Sequence, residues 1–168
     1  MKKILIIGCP GSGKSTFARA LREITGIELF HLDMMYWNPD KTIVEPEIFR
    51  QRLADAMAGE AWIIDGNFQS TMSLRMERCD TVIFLDYPPE VCLEGVRARM
   101  GKKRSDMPWV ETEEDTEFMV FIEKFVTQNR PQVLELLENF SNKEIHIFKT
   151  REEAEAFLSL LKNRKEVT

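Results

Sequence analysis

Residues 8–15 read Gly8-Cys9-Pro10-Gly11-Ser12-Gly13-Lys14-Ser15, a complete G-x-x-x-x-G-K-S pattern. The pattern directly follows the apolar run 3–7 and precedes the segment 16–24, whose apolar residues recur at helical spacing. Strand, glycine-rich loop and helix therefore stand in the order that a phosphate-binding loop requires. An ordinary turn with chance glycines is the alternative, and this context disfavours it. We expect the chain to bind a nucleoside triphosphate.

The residue types of this loop match the parts of a triphosphate. Its glycines allow the backbone to curl tightly around a phosphate, so that the amides 12–14 point inward as donors. The amino group of Lys14 is expected to reach the β- and γ-phosphates, and the hydroxyl of Ser15 to bind Mg²⁺. The loop residues expected to hold the nucleotide are Gly8, Gly11, Ser12, Gly13, Lys14, Ser15 and Thr16.

Composition predicts a single globular domain, 1–168, in which 43% of the residues are hydrophobic and 30% charged. The formal net charge of −5 makes direct nucleic-acid binding unexpected. No apolar run reaches transmembrane length, so no membrane association is expected. The three cysteines show neither metal-ligand spacing nor an even disulfide count, which favours a reducing, cytoplasmic compartment. Monomer and homodimer both remain open.

Short apolar runs alternate with helical segments, which is typical of an α/β domain with a mainly parallel sheet. The strands are expected at 3–7, about 28–32, 61–65, 81–86 and 144–148. After the first helix, further helices are expected at 47–58, from Pro88 or Pro89 through Val96, and at 117–128, 131–140 and 152–162. The stretch 101–108 is polar, basic and bracketed by Gly and Pro, which predicts a lid over about 101–116. A solvated surface turn is the alternative there.

Carboxylates follow three of the predicted strands. Because ligands bind beyond the carboxyl ends of parallel strands, Asp33, Asp65 and Asp86 are expected to converge on the phosphate loop. We expect Asp33 to orient an acceptor hydroxyl or accept its proton, and Asp65 to hold Mg²⁺ or substrate. For Asp86, helix capping competes with a role in the site. His31 is a candidate support for Asp33, but a lone histidine at a strand end more often has a structural role, and that alternative is favoured.

Four arginines could gather charge on a transferred phosphate, because a planar guanidinium binds phosphate oxygens in pairs. They are Arg75, Arg99, Arg104 and Arg130. We expect Arg104 and Arg130 to act in catalysis together with Lys14 and Asp33. The residues expected on the substrate are Asp33, Asp65, Asn67 and Arg75.

The order of these motifs resembles that of the bacterial proteins labelled DNA topology modulation protein (FlaR-related), which are similar to adenylate and shikimate kinases. The segments that carry the resemblance span nearly the whole chain, and among the most specific are Asp65-Gly66-Asn67 and Arg104-Ser105-Asp106-Met107. The resemblance implies a three-layer P-loop NTPase of the nucleoside monophosphate kinase type. It also implies a five-stranded parallel sheet in the order 2-3-1-4-5, a small lid and an acceptor region near Asp33.

The chain departs from both kinase patterns where they bind the acceptor. Shikimate kinases carry two aspartates separated by one residue, and here His31 takes the first place. Adenylate kinases carry Asp-Gly-Phe-Pro-Arg, where this chain reads Asp65-Gly66-Asn67-Phe68-Gln69. An arginine expected early in the helix after Pro88 is replaced by Gly95, which leaves Arg99 and the turn 149–151 to contact the adenine.

The leading hypothesis is a small-molecule kinase that uses ATP and Mg²⁺ and phosphorylates an unidentified acceptor. The alternative is a nucleotide-dependent regulator of DNA topology without kinase activity. A GTPase switch is a weaker third hypothesis, because Asn142-Lys143-Glu144 is followed by Ile145 and not by the aspartate of the guanine-specific Asn-Lys-x-Asp motif.

Overall fold

The computed structural model describes residues 1–166 and has a five-stranded sheet at its centre. The strands are β1 (Lys3–Gly8), β2 (Leu29–His31), β3 (Trp62–Asp65), β4 (Thr81–Leu85) and β5 (Glu144–Phe148). Every neighbouring pair is parallel, and the order across the sheet is β2-β3-β1-β4-β5. The predicted α/β class, the parallel sheet and the order 2-3-1-4-5 are confirmed.

Eight helices surround the sheet in the described part of the chain. They are α1 (Lys14–Thr25), α2 (Leu32–Tyr36), α3 (Pro46–Met57), α4 (Gln69–Arg78), α5 (Pro89–Arg99), α6 (Thr116–Gln128), α7 (Arg130–Asn139) and α8 (Arg151–Glu166). The predicted break near Pro131 is confirmed, since this proline lies in the first turn of α7, where its missing N–H costs no helical bond.

The short helix α2 corrects the predicted end of the second strand. That strand was expected to run to about residue 32, but it stops at His31 and the chain turns at once into α2. Asp33 therefore lies in the first turn of a helix and not at a strand end. A five-residue helix leaves too short a periodic pattern to be recognised from sequence.

The central strands are buried because helices cover both faces of the sheet. Along β1, Ile4 and Ile6 face one apolar cluster, with side chains from α1, α5, α6 and α8, while Leu5 and Ile7 face a second, with side chains from α2, α3, α4 and α7. Burying each such aliphatic side chain stabilises the fold by about 1.5–3 kcal/mol. The result is a three-layer sandwich.

This topology brings polar strand ends together at one rim. In the sheet register Ile6 pairs with Asp65 and Gly8 pairs with Leu85, so the loops after β1, β3 and β4 start side by side. Residues 100–115, between α5 and α6, contain neither helix nor strand and lead across this rim. Within residues 1–166, no helix is both long and apolar enough to cross a membrane.

Candidate functional site

The loop between β1 and α1 has the backbone shape that its glycines predict. Gly11 and Gly13 adopt φ angles of 84° and 91°, in the left-handed region that other residues rarely enter. Gly13 caps α1 without a side-chain hydrogen bond, so the N–H groups of the first turn keep their capacity for an anion. The Lys14 Nζ folds over the loop and donates to the carbonyls of Gly8 and Cys9 at 2.9 and 3.2 Å. Burial lowers the pKa of this amino group, while the charges of Asp65 and others oppose the shift.

Helix α5 presses directly against the phosphate loop. A Cβ added at Gly95 would lie 2.0 Å from the carbonyl oxygen of Gly11, and a Cβ added at Gly11 would lie 2.0 Å from the carbonyl oxygen of Cys92. Neither distance is sterically possible. Position 95 therefore has to be glycine for this packing, which explains why the arginine expected there is missing.

Ser15, Asp65 and His31 form a chain of hydrogen bonds at the start of α1. The Ser15 hydroxyl donates to Oδ2 of Asp65 at 2.6 Å, and the other carboxylate oxygen lies 2.7 Å from Nδ1 of His31. The candidate role of His31 as a support for Asp33 does not hold, because parallel pairing of β2 with β3 sets His31 opposite Asp65. Oxygen donors of this kind suit Mg²⁺, which keeps several waters and uses few protein ligands. The pair Ser15 and Asp65 thus fits the predicted metal position.

Asp33 lines the same cleft, and its carboxylate has no hydrogen-bond donor among the described residues. Within residues 1–166 no protein group donates a hydrogen bond to it, although neighbouring Asp65 and Asp106 are both hydrogen-bonded. Burial raises the pKa of Asp33 to about 6, against the opposing charge of Lys14. A carboxylate with this pKa is mostly ionised at neutral pH, yet basic enough to take a proton. Its position and chemistry match the predicted acceptor-side role.

Asn67 joins the loop after β3 to the end of β1. Its side-chain oxygen accepts from the Gly8 N–H at 3.1 Å, while its amide nitrogen donates to the Gly8 carbonyl at 2.8 Å. Both polar atoms of the side chain are therefore engaged with the phosphate loop. Asn67 lines the cleft, as expected of a substrate residue, but its bonds in this structure hold the loop in shape.

Arg75 lies in the protein interior, away from any phosphate in the cleft. It is completely buried, and its guanidinium donates to the carbonyls of Gly66, Asn67 and Phe68. These bonds hold Phe68 at a φ of 38°, a conformation that a bulky residue rarely adopts. The arrangement offers no support for the prediction that Arg75 contacts substrate. It makes Arg75 the internal support of the loop 66–68.

Ion pairs hold the segment 100–115 over the cleft. Arg99 Nε lies 2.7 Å from a carboxylate oxygen of Glu111, and Arg104 lies 3.1 Å from Asp106 and 3.4 Å from Glu111. Arg19 on α1 reaches the other oxygen of Asp106 at 3.2 Å. Burial alone would raise the pKa of Asp106, but Arg104 and other nearby cations outweigh it and lower the pKa. The segment therefore occupies the position of a lid, and its function as a lid stays a prediction.

Arg130 forms an ion pair outside the cleft. It forms a two-pronged ion pair with Asp86, with contacts of 2.8–3.0 Å, and Lys149 donates to the same carboxylate. Burial would raise the pKa of Asp86, but these two cations outweigh it and hold the pKa below its usual value. Asp86 does not cap α5, whose N-cap is Pro88. The expected catalytic role of Arg130 would require it to leave this partner.

One cleft of about 1050 Å³ gathers most of the predicted residues. Its lining includes Gly11, Gly13, Lys14, Ser15, Thr16, Asp33, Asp65, Asn67, Arg99 and Arg104. Gly8, Ser12, Arg75 and Arg130 are not part of that lining. Sequence reasoning gave no role to several other lining residues, among them Trp37, Phe68, Trp109 and Glu111. For Trp109, the available signal was a tryptophan in the largely polar stretch 101–116.

Comparisons with known proteins agree with this geometry. The family model described as "AAA domain" matches residues 4–119. No curated protein matches the chain. Among solved structures, a shikimate kinase from Bacteroides thetaiotaomicron is 22% identical, with 97% of each chain covered and a TM-score of 0.57. A deoxyadenosine kinase from M. mycoides, solved with bound dATP, is 16% identical, with 96% of this chain and 99% of that chain covered and a TM-score of 0.55. The fold is therefore that of the P-loop kinases.

Proposed function

The chain belongs to the AAA domain family, and from this premise we propose that it is an ATP-dependent kinase that phosphorylates a small molecule. The observation that carries the proposal is the free carboxylate of Asp33, which lines the same cleft as Lys14 of the phosphate loop. A carboxylate that no protein group in residues 1–166 occupies is available to an acceptor hydroxyl. A kinase uses such a group to position its acceptor and to take its proton.

The nucleotide is assigned to the phosphate loop and the adjoining part of the cleft. The loop amides and Lys14 bind the β- and γ-phosphates, and Arg99 is the proposed contact on the nucleoside side. Ser15 and Asp65 are the residues that would hold Mg²⁺, which supplies charge neutralisation at the phosphates when bound. Arg151 also lines the cleft, which supports the turn 149–151 as part of the nucleotide site.

Asp33 is assigned to the acceptor. Its carboxylate accepts a hydrogen bond from the acceptor hydroxyl and takes the proton as the oxygen bonds to the γ-phosphorus. The bond from that phosphorus to the β–γ bridging oxygen breaks, and ADP leaves with the electron pair. Arg104 is proposed to offset the charge on the transferred group, for which its guanidinium would shift from Asp106.

The segment 101–116 is proposed to act as a lid that excludes water, since water would otherwise compete with the acceptor. Its present ion pairs to Arg99 and Arg19 place it over the cleft without covalent restraint. The three cysteines are free thiols, in keeping with the proposed cytoplasmic location. Monomer and homodimer are both compatible with a cleft built from a single chain.

The alternative, regulation of DNA topology without kinase activity, rests only on the resemblance of the sequence. The assignment to the FlaR-related group stays a prediction for the same reason. The formal net charge of −5 opposes direct binding to a polyanion. We therefore favour the kinase.

The kinase proposal is tested by measuring ADP formation and labelled product with ATP, Mg²⁺ and a panel of hydroxyl-bearing metabolites. We expect at least one compound to raise ADP formation well above the rate with ATP alone and to appear as a phosphorylated product. The Lys14→Ala variant should abolish both signals. A panel that covers nucleosides, nucleotides, sugars and hydroxy acids and yields no phosphorylated compound would refute the kinase class.

A further inference from the structure

We propose that the acceptor is an uncharged molecule that combines a flat aromatic ring with a hydroxyl group on an attached side group or sugar, as in a nucleoside. This inference rests on the kinase function proposed above and names the substrate class of the same cleft. Three observations carry it: an aromatic wall next to Asp33, the pairing of the cations on the acceptor side, and an unpaired indole N–H in the wall.

The aromatic wall begins one helical turn from the proposed base. Trp37 lies four residues after Asp33, and its N–H donates to the Asp33 carbonyl at 3.0 Å, so the two residues lie one helical turn apart along α2. The Trp37 ring meets Trp109 edge-on, with ring centres 6.1 Å apart. Both rings line the cleft. A flat ligand that stacks against this wall would hold its hydroxyl within reach of the Asp33 carboxylate.

The wall continues on the other side through Phe68. The Tyr36 ring lies 5.1 Å from that of Trp37 and 4.7 Å from that of Phe68. Phe68 also lines the cleft, although its backbone is held in the rare left-handed conformation described above. Strained residues persist where the surrounding structure over-determines them, often at ligand clamps. Here the strain directs an aromatic ring toward the acceptor side.

The charges of the cleft disfavour an acidic acceptor. The Asp33 carboxylate has no partner among residues 1–166 and adds a negative charge to this side. Arg99 and Arg104 are paired with Glu111 and Asp106 in this structure. The proposed mechanism assigns Arg104 to the transferred phosphoryl group and not to the acceptor. The Lys14 amino group donates to a carbonyl of the phosphate loop and is assigned to the nucleotide phosphates. The Lys41 Nζ lies over the Trp109 ring, 5.1 Å from its centre, and adds one charge without the paired donors that phosphate or carboxylate binding favours. A phosphate or carboxylate on the acceptor would meet more repulsion than attraction.

The wall also contains a polar group without a partner. The indole N–H of Trp109 is buried and makes no hydrogen bond within the described residues 1–166. Buried polar groups in proteins are normally paired, so this donor lacks an acceptor that a ring heteroatom could supply when the lid segment adjusts around a ligand. Heteroaromatic rings therefore suit the wall better than purely hydrocarbon ones.

Binding can be read directly from tryptophan fluorescence. The chain has three tryptophans; Trp37 and Trp109 line the cleft, while Trp62 is fully buried in the core and serves as a constant background. The protein, loaded with Mg²⁺ and a non-hydrolysable ATP analogue, would be titrated with nucleosides, their 5′-monophosphates, hydroxymethyl-pyridines and aliphatic hydroxy acids. Nucleosides and hydroxymethyl-pyridines form the two uncharged aromatic arms. Product formation with ATP is measured on the same panel.

We expect compounds from at least one of the two uncharged aromatic groups, the nucleosides or the hydroxymethyl-pyridines, to quench the tryptophan fluorescence and to be phosphorylated. A nucleoside should bind at least about tenfold more tightly than its own 5′-monophosphate, because like charges in a site are strongly unfavourable. Trp109→Ala should weaken acceptor binding roughly tenfold or more, since it removes a stacking surface, while Trp109→Phe retains most of the affinity. The affinity for the ATP analogue should change by less than about twofold in both variants.

The outcomes separate this inference from the kinase proposal. If monophosphates or hydroxy acids bind better and are phosphorylated, the acceptor class is wrong and the kinase proposal stands. Equal acceptor affinity in the wild type and Trp109→Ala would also overturn the stacking argument. If nothing on this panel is phosphorylated, the present inference fails, and the wider panel described under the proposed function, which also covers sugars, decides the kinase proposal. Asp106→Asn, which releases Arg104 from one carboxylate, should improve monophosphate binding and leave nucleoside binding unchanged.

Discussion

Gly95 of helix α5 and Gly11 of the phosphate loop are packed so closely that neither position has room for a side chain. The space at Gly95 is closed by the Gly11 carbonyl oxygen, 2.0 Å from where a Cβ would stand. The helix therefore supports the loop from behind through direct backbone contact. The shape of the phosphate loop thus depends on a residue that lies outside the loop.

Gly95→Ala should displace the phosphate loop and weaken ATP binding by about tenfold to a hundredfold, even though alanine is the better helix former. Isothermal titration with Mg²⁺-ATP would measure the loss. Gly59→Ala is the matched control, because a Cβ there meets nothing nearer than 3.5 Å. ATP affinity in Gly95→Ala equal to that of the control would show that the loop does not need this support.

Lys14→Ala should remove the stabilisation that Mg²⁺-ATP gives to the folded protein without damaging the fold. Ligand at about 100-fold saturation adds roughly 2.7 kcal/mol to the free energy of unfolding, and this gain should disappear. Burial lowers the pKa of Lys14, so its charge is costly without a ligand, and the unliganded variant should melt no lower than the wild type. Lys162→Ala, at an exposed position, is the control. Persistent ATP stabilisation in Lys14→Ala would contradict the assigned role.

Asp33→Asn should lower acceptor-dependent phosphoryl transfer and, at the same time, raise the free energy of unfolding. Loss of the base should lower acceptor-dependent transfer by on the order of 10²–10⁴ while ATP affinity is kept. The folded pKa of about 6 lies above the ordinary 3.8, so the folded protein bears the cost of ionising Asp33 above about pH 6. The substitution should therefore raise the free energy of unfolding at about pH 7.5 by on the order of 1–3 kcal/mol.

This gain should shrink as the pH falls from about 6 toward 4, where the Asp33 carboxyl is protonated in the folded wild type. Urea unfolding at both ends of that range would measure it. A gain that is the same at both ends would assign the effect to something other than this titration. Unchanged transfer in Asp33→Asn would move the catalytic role to Asp65.

Arg75→Met should destabilise the protein by about 2–4 kcal/mol, because three carbonyls of the loop 66–68 lose their donor in the interior. The same variant should weaken acceptor binding more than ATP binding, since Phe68 loses its restraint. Arg78→Met, at an exposed site on the same helix, is the control. Urea unfolding together with fluorescence titration would test both parts. Near-normal stability in Arg75→Met would contradict the structural role.

Arg130→Gln distinguishes a structural from a catalytic arginine. Removing one of the two cations on Asp86 should raise the pKa of that carboxyl and cost about 1 kcal/mol at neutral pH. The pKa of Asp86 is held below its ordinary value of 3.8, so the ion pair adds stability above that pH. The difference in stability between variant and wild type should therefore shrink as the pH falls below that value. A fall in transfer with unchanged stability would instead support the predicted catalytic role.

The general architecture could be predicted because local and long-range signals agree. The apolar run 3–7 ahead of the glycine loop indicated a buried strand, and the structure has β1 there. Ser15 and Asp65 were placed together correctly because parallel strands end at one rim. These inferences need only the spacing of the apolar residues and the rule that parallel strands end at the same edge of the sheet.

The partners of charged side chains could not be predicted, because they depend on register and on distant elements. The sequence offers Asp33, two residues away, as a possible partner of His31, but the pairing of β2 with β3 sets His31 against Asp65. Arg75 and Arg130 were grouped as phosphate ligands by residue type alone. The packing shows instead that Arg75 donates to backbone carbonyls and that Arg130 pairs with Asp86.

Asn67 ties the loop after β3 to the phosphate loop after β1, so that the two loops form one structural unit. Its two bonds to Gly8 mean that the residues after β3 cannot be exchanged without also disturbing the residues after β1. A new acceptor specificity cannot be grafted by swapping the segment 66–68 alone. If the proposed kinase diverges toward other acceptors, we expect the changes to lie in the segment 101–116 and at the end of α2, because Asn67 does not bond to either.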